Sequence, residues 1–107
     1  MKKTIWISYA FGVKADYPGL YRWFDNIGAV ECGDNLAVLK LDIPSTDDPP
    51  DFVKTQIDEH VSVSKSDRIY VIWTGDDGQN RGRFISGKRR GSPWQGHGDA
   101  TPDQDDA

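Results

Sequence analysis

The sequence predicts an α+β domain in which an antiparallel sheet carries two helices. Three observations predict it. Residues 4–11 and Arg68–Thr74 are dense in β-branched and aromatic side chains over strand-like lengths. Leu20, Trp23, Phe24 and Ile27 fall at the i, i+3, i+4, i+7 spacing of one helix face. Helical and strand-like stretches then follow the order β-α-β-β-α-β, with one further strand at the end.

Residues 4–11 alternate. Ile5, Ile7, Tyr9 and Phe11 point one way and Trp6, Ser8 and Ala10 the other, the period of a strand. Both sets are apolar, which places this strand at the centre of its sheet. Residues 12–15 form a loop. Asp16 is suited to accept hydrogen bonds from the first free amides of the next helix, and Pro18 sits in the turn where no donor is needed. Arg22, Asp25 and Asn26 occupy the wet side. Gly28 ends the helix because glycine takes positive φ without penalty.

Residues 29–32 read as a short strand, Gly33, Asp34 and Asn35 as a turn, and residues 36–43 as its hairpin partner. Ala37, Leu39, Leu41 and Ile43 share one face of that partner; Leu36, Val38, Lys40 and Asp42 share the other. Asp48, ahead of Pro49 and Pro50, marks a second helix, with Val53, Ile57 and Val61 as its apolar stripe. Arg68–Thr74 is a strong strand, Gly75, Asp76, Asp77 and Gly78 turn the chain, and residues 83–87 form a final short strand. From Gly91 onward Gly, Pro, Asp and Ser predominate without any period. The expected organisation is one domain over residues 1–95 and a disordered acidic tail over residues 96–107.

Right-handed crossovers fold this order into a ferredoxin-like sandwich, a four-stranded antiparallel sheet with both helices on one face. The additional C-terminal strand is left over. It either pairs at the edge of its own sheet or adds to a partner's.

A chain of 107 residues is long enough for a real core without disulfides or a structural metal, burying roughly two-thirds of its unfolded surface. The single cysteine, Cys32, excludes an internal disulfide and any multi-cysteine zinc site. No charged-then-apolar leader is expected, and no apolar run approaches the ~20 residues of a membrane span. A cytoplasmic protein with no membrane partner is the expectation. The net charge of −4 hides an internal balance: without Asp99, Asp103, Asp105 and Asp106 the body carries 13 basic and 13 acidic residues.

Two groups of residues are candidates for function. Arg81, Arg83, Lys88, Arg89 and Arg90, with Trp94 beyond them, form a nucleic-acid candidate in which cations grip phosphates and an indole stacks on a base. The competing reading is a solvated edge strand whose charges prevent aggregation, which the balanced body and the acidic tail favour. Trp6, Tyr70 and Trp73 lie on central strands and, with Phe84 and Ile85 of the last strand, suit an interface with a second copy. A base-stacking platform is the alternative use of such rings. His60, beside Asp58 and Glu59, is expected to be a surface histidine, because adjacent helical residues point apart. His97 lies in the glycine-rich tail, Asp76, Asp77 and Gly78 are explained by a turn, and Cys32 is expected to be a small, partly buried residue. No metal, cofactor or catalytic set is predicted.

The segment ISYAF, followed by DYPGLYRWFDNIGA, a short hairpin and the later RIYVIW, resembles the small Cas2-like and SinR-like proteins of bacteria across roughly residues 4–75. The resemblance implies a ferredoxin-like fold and a homodimer, often with a terminal strand crossing to the partner. Cas2-like members include metal-dependent nucleases and non-catalytic scaffold subunits. Active nucleases of that kind carry a metal-binding Asp where this chain has Ala10, and a methyl group offers a hard cation no oxygen. The expected function is therefore a small, non-catalytic, homodimeric binding or regulatory protein. A Cas2-like nucleic-acid-binding protein or nuclease and a structural adaptor for another protein are the alternatives.

Overall fold

A computed structural model describes residues 2–99 of the chain. The elements are β1 (Lys2–Ala10), α1 (Tyr17–Asn26), β2 (Val30–Glu31), β3 (Leu36–Asp42), α2 (Pro49–His60), β4 (Arg68–Thr74) and β5 (Asn80–Ser86). All neighbours pair antiparallel, in the spatial order β2-β3-β1-β4-β5. β1 is central, as its two apolar faces require. β5 pairs with β4 of its own chain.

Strand alternation decides what is buried. Ile5 and Ile7 of β1, Ala37, Leu39 and Leu41 of β3, and Ile69, Val71 and Trp73 of β4 form one cluster with Leu20, Trp23 and Phe24 of α1 and Val53 and Ile57 of α2. Both helices thus cover the same sheet face, an α+β arrangement compatible with the ferredoxin-like expectation. Full burial of each Val, Leu, Ile or Phe side chain among them contributes about 1.5–3 kcal/mol. The ring of Trp23 is buried although its indole N–H has no acceptor, so the packing of the ring outweighs one unpaired donor. The alternate residues Trp6, Val38, Tyr70 and Ile72 face away from the helices and stay only partly buried.

Two carboxylates fasten the loops. Asp16 caps α1 by accepting from the Gly19 amide at 2.9 Å, and accepts from the Ser62 amide, also at 2.9 Å, joining the start of α1 to the segment after α2. Asp67 is fully buried and accepts from the Gly12 and Ser64 amides, each at 2.9 Å. It thereby pins the loop after β1 to the start of β4. Gly28, at φ +74°, follows α1 as expected. Asp48 holds the N-cap position of α2 but makes no side-chain cap bond, because its carboxylate pairs with Arg83 Nη1 at 2.8 Å instead.

Three details differ from expectation. β2 pairs over only two residues, Val30 opposite Val38 and Glu31 opposite Ala37, and Cys32 beyond it is exposed rather than partly buried. β5 starts at Asn80, before the predicted residue 83. Local propensity disfavours Gly82 in a strand, yet it pairs with Ile72, and the Tyr70 ring lies over it so closely that a Cβ there would fall 2.2 Å from the phenol oxygen. An irregularity in the β4–β5 register at Ile69/Tyr70 leaves Ile85 without an opposite residue and packed against the core. Of the segment expected to be disordered, residues 100–107 lie outside the described residues. Ahead of them the chain turns, with the Gln95 amide on Ser92 O and the His97 amide on Trp94 O, both at 3.0 Å.

Candidate functional site

The period of two sends Arg68, Tyr70 and Ile72 of β4 to the face away from the helices, and the β4–β5 register sets Phe84 opposite Tyr70. The Tyr70 and Phe84 rings meet edge to face, 4.8 Å between centroids at 69°. Two guanidinium groups lie over Phe84, Arg68 at 5.3 Å and Arg89 at 5.7 Å from its centroid. Arg68 is held there by a bond from Nε to the Lys88 carbonyl, 3.1 Å. A cavity of about 280 Å³ opens beside this stack, lined by Ser8, Ala10, Arg68, Tyr70, Phe84 and Arg89. A second, of about 430 Å³, shares Arg68, Phe84 and Arg89 and extends to Arg90 and Trp94. Trp94 is 73% exposed. Neither lining contains a carboxylate. Cations, rings and an exposed indole meet on one surface, which suits a ligand with anionic groups and flat faces.

The basic stretch is divided by the sheet. Arg81 and Arg83 stand opposite Trp73 and Val71 and share their helix-side face. Arg81 pairs with Asp77, and Arg83 pairs with Asp48 and, at 3.6 Å, with Asp51, while its guanidinium lies 5.7 Å from the Trp73 ring centroid. They belong to the fastening of β5, not to the surface formed by Arg89, Arg90 and Trp94. The proposed interface set is divided in the same way. Trp6, Tyr70 and Phe84 lie on the open face. Trp73 is 6% exposed in the core, and Ile85 packs against that core from the helix side, so neither is available to a partner on the open face. An odd spacing from Tyr70 sends Trp73 to the opposite side, and the strand irregularity does the same for Ile85.

Arg68 is the site residue that the sequence reading missed. Its signal is the even spacing to Tyr70 in Arg68–Thr74, which becomes informative only once β5 is known to pair there. Ala10 lines the smaller cavity, where its side chain contributes no oxygen. Asp16 is engaged as the α1 cap, and the amides of Ser62 and then Gly19 hold its carboxyl below the usual range. His60 is exposed on α2 with Nδ1 2.8 Å from the Gln56 carbonyl, and His97 is exposed. Asp77 accepts from the Gln79 amide within the turn where Gly78 takes φ +81°. Among the described residues no group of three or more His, Cys, Asp and Glu is placed to hold a metal ion, and no helix is long and apolar enough to cross a membrane.

No family model matches the chain, and no curated protein or solved structure is significantly similar to it.

Proposed function

We propose that this chain is a small, non-catalytic binding protein of ferredoxin-like fold that pairs with a second copy through the open face of its sheet. The observation that carries this reading is the strip formed by Trp6, Val38, Tyr70, Ile72 and Phe84, which is apolar, contiguous across four strands and left half-buried by the monomer. Apolar area of that kind is stabilised by burial against another surface. The resemblance to Cas2-like and SinR-like proteins supports a homodimer, and β5 in this arrangement remains with its own sheet. The non-catalytic part rests on the cavity at Ala10, whose lining offers a hard divalent ion no carboxylate. Light scattering should give twice the chain mass at high micromolar concentration, and Trp6→Lys should weaken the association at least tenfold. A wild-type monomer at that concentration refutes the dimer.

A second reading concerns the ligand. The Arg68–Phe84–Arg89 stack and exposed Trp94 favour single-stranded nucleic acid, with phosphates on the guanidiniums and a base on the indole. Oligonucleotide binding should fall steeply with salt. Replacing Arg68 and Arg89 by alanine should lower affinity about tenfold and reduce the log–log salt slope by about 1.4, given about 0.7 per phosphate contact. Replacing Arg81 and Arg83 should change it little. Absence of binding at low salt, both in the intact chain and after removal of residues 99–107, refutes this reading.

A further inference from the structure

At the β2 edge of the sheet, far along the strand order from Arg89, a second ring cluster lines a groove of about 380 Å³ between α1 and the β2–β3 hairpin. Its walls are the rings of Tyr9, Tyr21 and Phe24 and the carboxylates of Asp25 and Glu31. Tyr9 and Phe24 stand 5.7 Å apart at 56°, and Tyr21 is half-exposed at the rim. Glu31 is held in place because Oε2 accepts from the Gly33 amide at 2.8 Å. The groove contains no Lys or Arg in its lining.

The contrast with the other end of the sheet is informative. There, rings are already covered by the chain's own cations, Arg68 and Arg89 over Phe84 and Arg83 over Trp73. At the β2 groove, three aromatic and two acidic residues line one cavity, and among the described residues no cation of the chain lies over those rings. Ring faces are electron-rich, and a cation within about 6 Å of them is attracted by about 0.5–1 kcal/mol at exposed sites and more when desolvated. Carboxylates beside the rings add charge attraction in the same direction. The Tyr9 phenol is pushed up to about 12, chiefly by burial and then by Tyr21, with Glu31 the smallest contribution.

We infer that this groove binds a positively charged side chain, lysine or arginine, presented by a partner polypeptide, with Tyr9, Tyr21 and Phe24 as its aromatic wall and Asp25 and Glu31 as its counter-charges. The site is separate from the open face and stands whether or not the chain dimerises or binds nucleic acid. An extended partner segment has room beside it, because β2 is the last strand of the sheet and its outer edge is unpaired among the described residues.

The test is an amide- and aromatic-resolved NMR titration of the full chain with capped Gly-Lys-Gly, Gly-Arg-Gly and Gly-Glu-Gly peptides, and with spermidine. The basic peptides should shift resonances of Tyr21, Asp25, Val30 and Glu31, saturating in the millimolar range, while the acidic peptide leaves them unmoved. The double substitution Asp25→Asn, Glu31→Gln should weaken binding about tenfold, and Tyr21→Ala about threefold. These positions are exposed, so unchanged resonances elsewhere will show that the variants are folded. No shift up to 50 mM basic peptide (about the weakest binding a carboxylate-and-ring site would give), equal shifts around Asp51 and Asp76, or affinity unaffected by the substitutions overturns the proposal. Binding of spermidine without either basic peptide overturns its assignment to a polypeptide partner.

Discussion

Asp16 illustrates how one partly buried carboxylate connects two parts of the chain that no strand joins. It receives amides from Gly19 and from Ser62, forty-six residues apart from it in the latter case. Those bonds favour the charged form, so its folded pKa lies below its ordinary value of 3.8. The unfolded chain therefore binds the proton more readily, and stability rises with pH through that window. The contribution is fully present above the ordinary value and is lost as the pH falls through the lower, folded one. Asp16→Ala should lower the melting temperature at neutral pH and flatten its decline in acid, measured by thermal denaturation from pH 6 to pH 2. An acid decline as steep as that of the parent would show that Asp16 is not coupled to folding. Asp16 was legible as a cap from its place before Pro18, whereas its bond to Ser62 was not, because nothing local relates the two segments. Asp67 is a similar case. It lies in the loop ahead of β4, and only the packing of that loop over Gly12 makes it a buried acceptor.

Among the elements, β5 departs most from its local signals. Arg81 and Gly82 have little strand preference, and the strand exists because β4 offers a complete ladder and because the chain reverses tightly at Gly75 and Gly78. Its fastening is asymmetric. On one side Arg83 reaches Asp48 and Asp51 at the start of α2, and on the other Tyr70 covers Gly82. A side chain at Gly82 must displace that ring, and the ring is part of the Tyr70–Phe84 pair. Gly82→Val should destabilise the fold by about 1–3 kcal/mol, as overpacking does, and should move the aromatic near-ultraviolet circular dichroism signal. Chemical denaturation reads the first effect, and an unchanged midpoint would mean that Tyr70 turns aside freely. β2 departs in the opposite direction. Four residues were expected to pair and two do, since beyond Glu31 the chain enters the turn in which Gly33 and Asn35 adopt positive φ.

Over the whole molecule, one face of the sheet is buried under the helices and the other is only partly buried, and membership of a face follows from a count of two along each strand. Trp73 and Tyr70 stand three residues apart and therefore on opposite sides. Trp73→Ala should destabilise by about 3–5 kcal/mol, the range for a large aromatic removed from a core. Tyr70→Ala should cost less than half as much in the monomer, because its ring is only partly buried. Urea denaturation at low protein concentration distinguishes them, and equal losses would contradict the assignment of faces. The charges are sorted as well. Cations gather on the β5 side of the open face, and an aromatic groove with two carboxylates lies at the β2 edge, so the formally balanced body has two unlike ends.

The sequence by itself determined the order of the elements, the caps at Asp16 and Gly28, and the alternation that groups the residues of β1 and of β3 into two faces. Those follow from periods of 2 and 3.6 residues and from the conformational habits of Pro and Gly, all of which act within a few neighbours. It also brought Arg89, Arg90, Trp94, Tyr70 and Phe84 forward as candidates, and the structure gathers them on one surface. Only the tertiary structure decided that β5 lies against β4, that Arg68 joins that group, and that Arg81, Arg83, Trp73 and Ile85 leave it. The physical reason is register: a pairing between distant strands sets which residues share a face, and an irregularity of one residue reverses it.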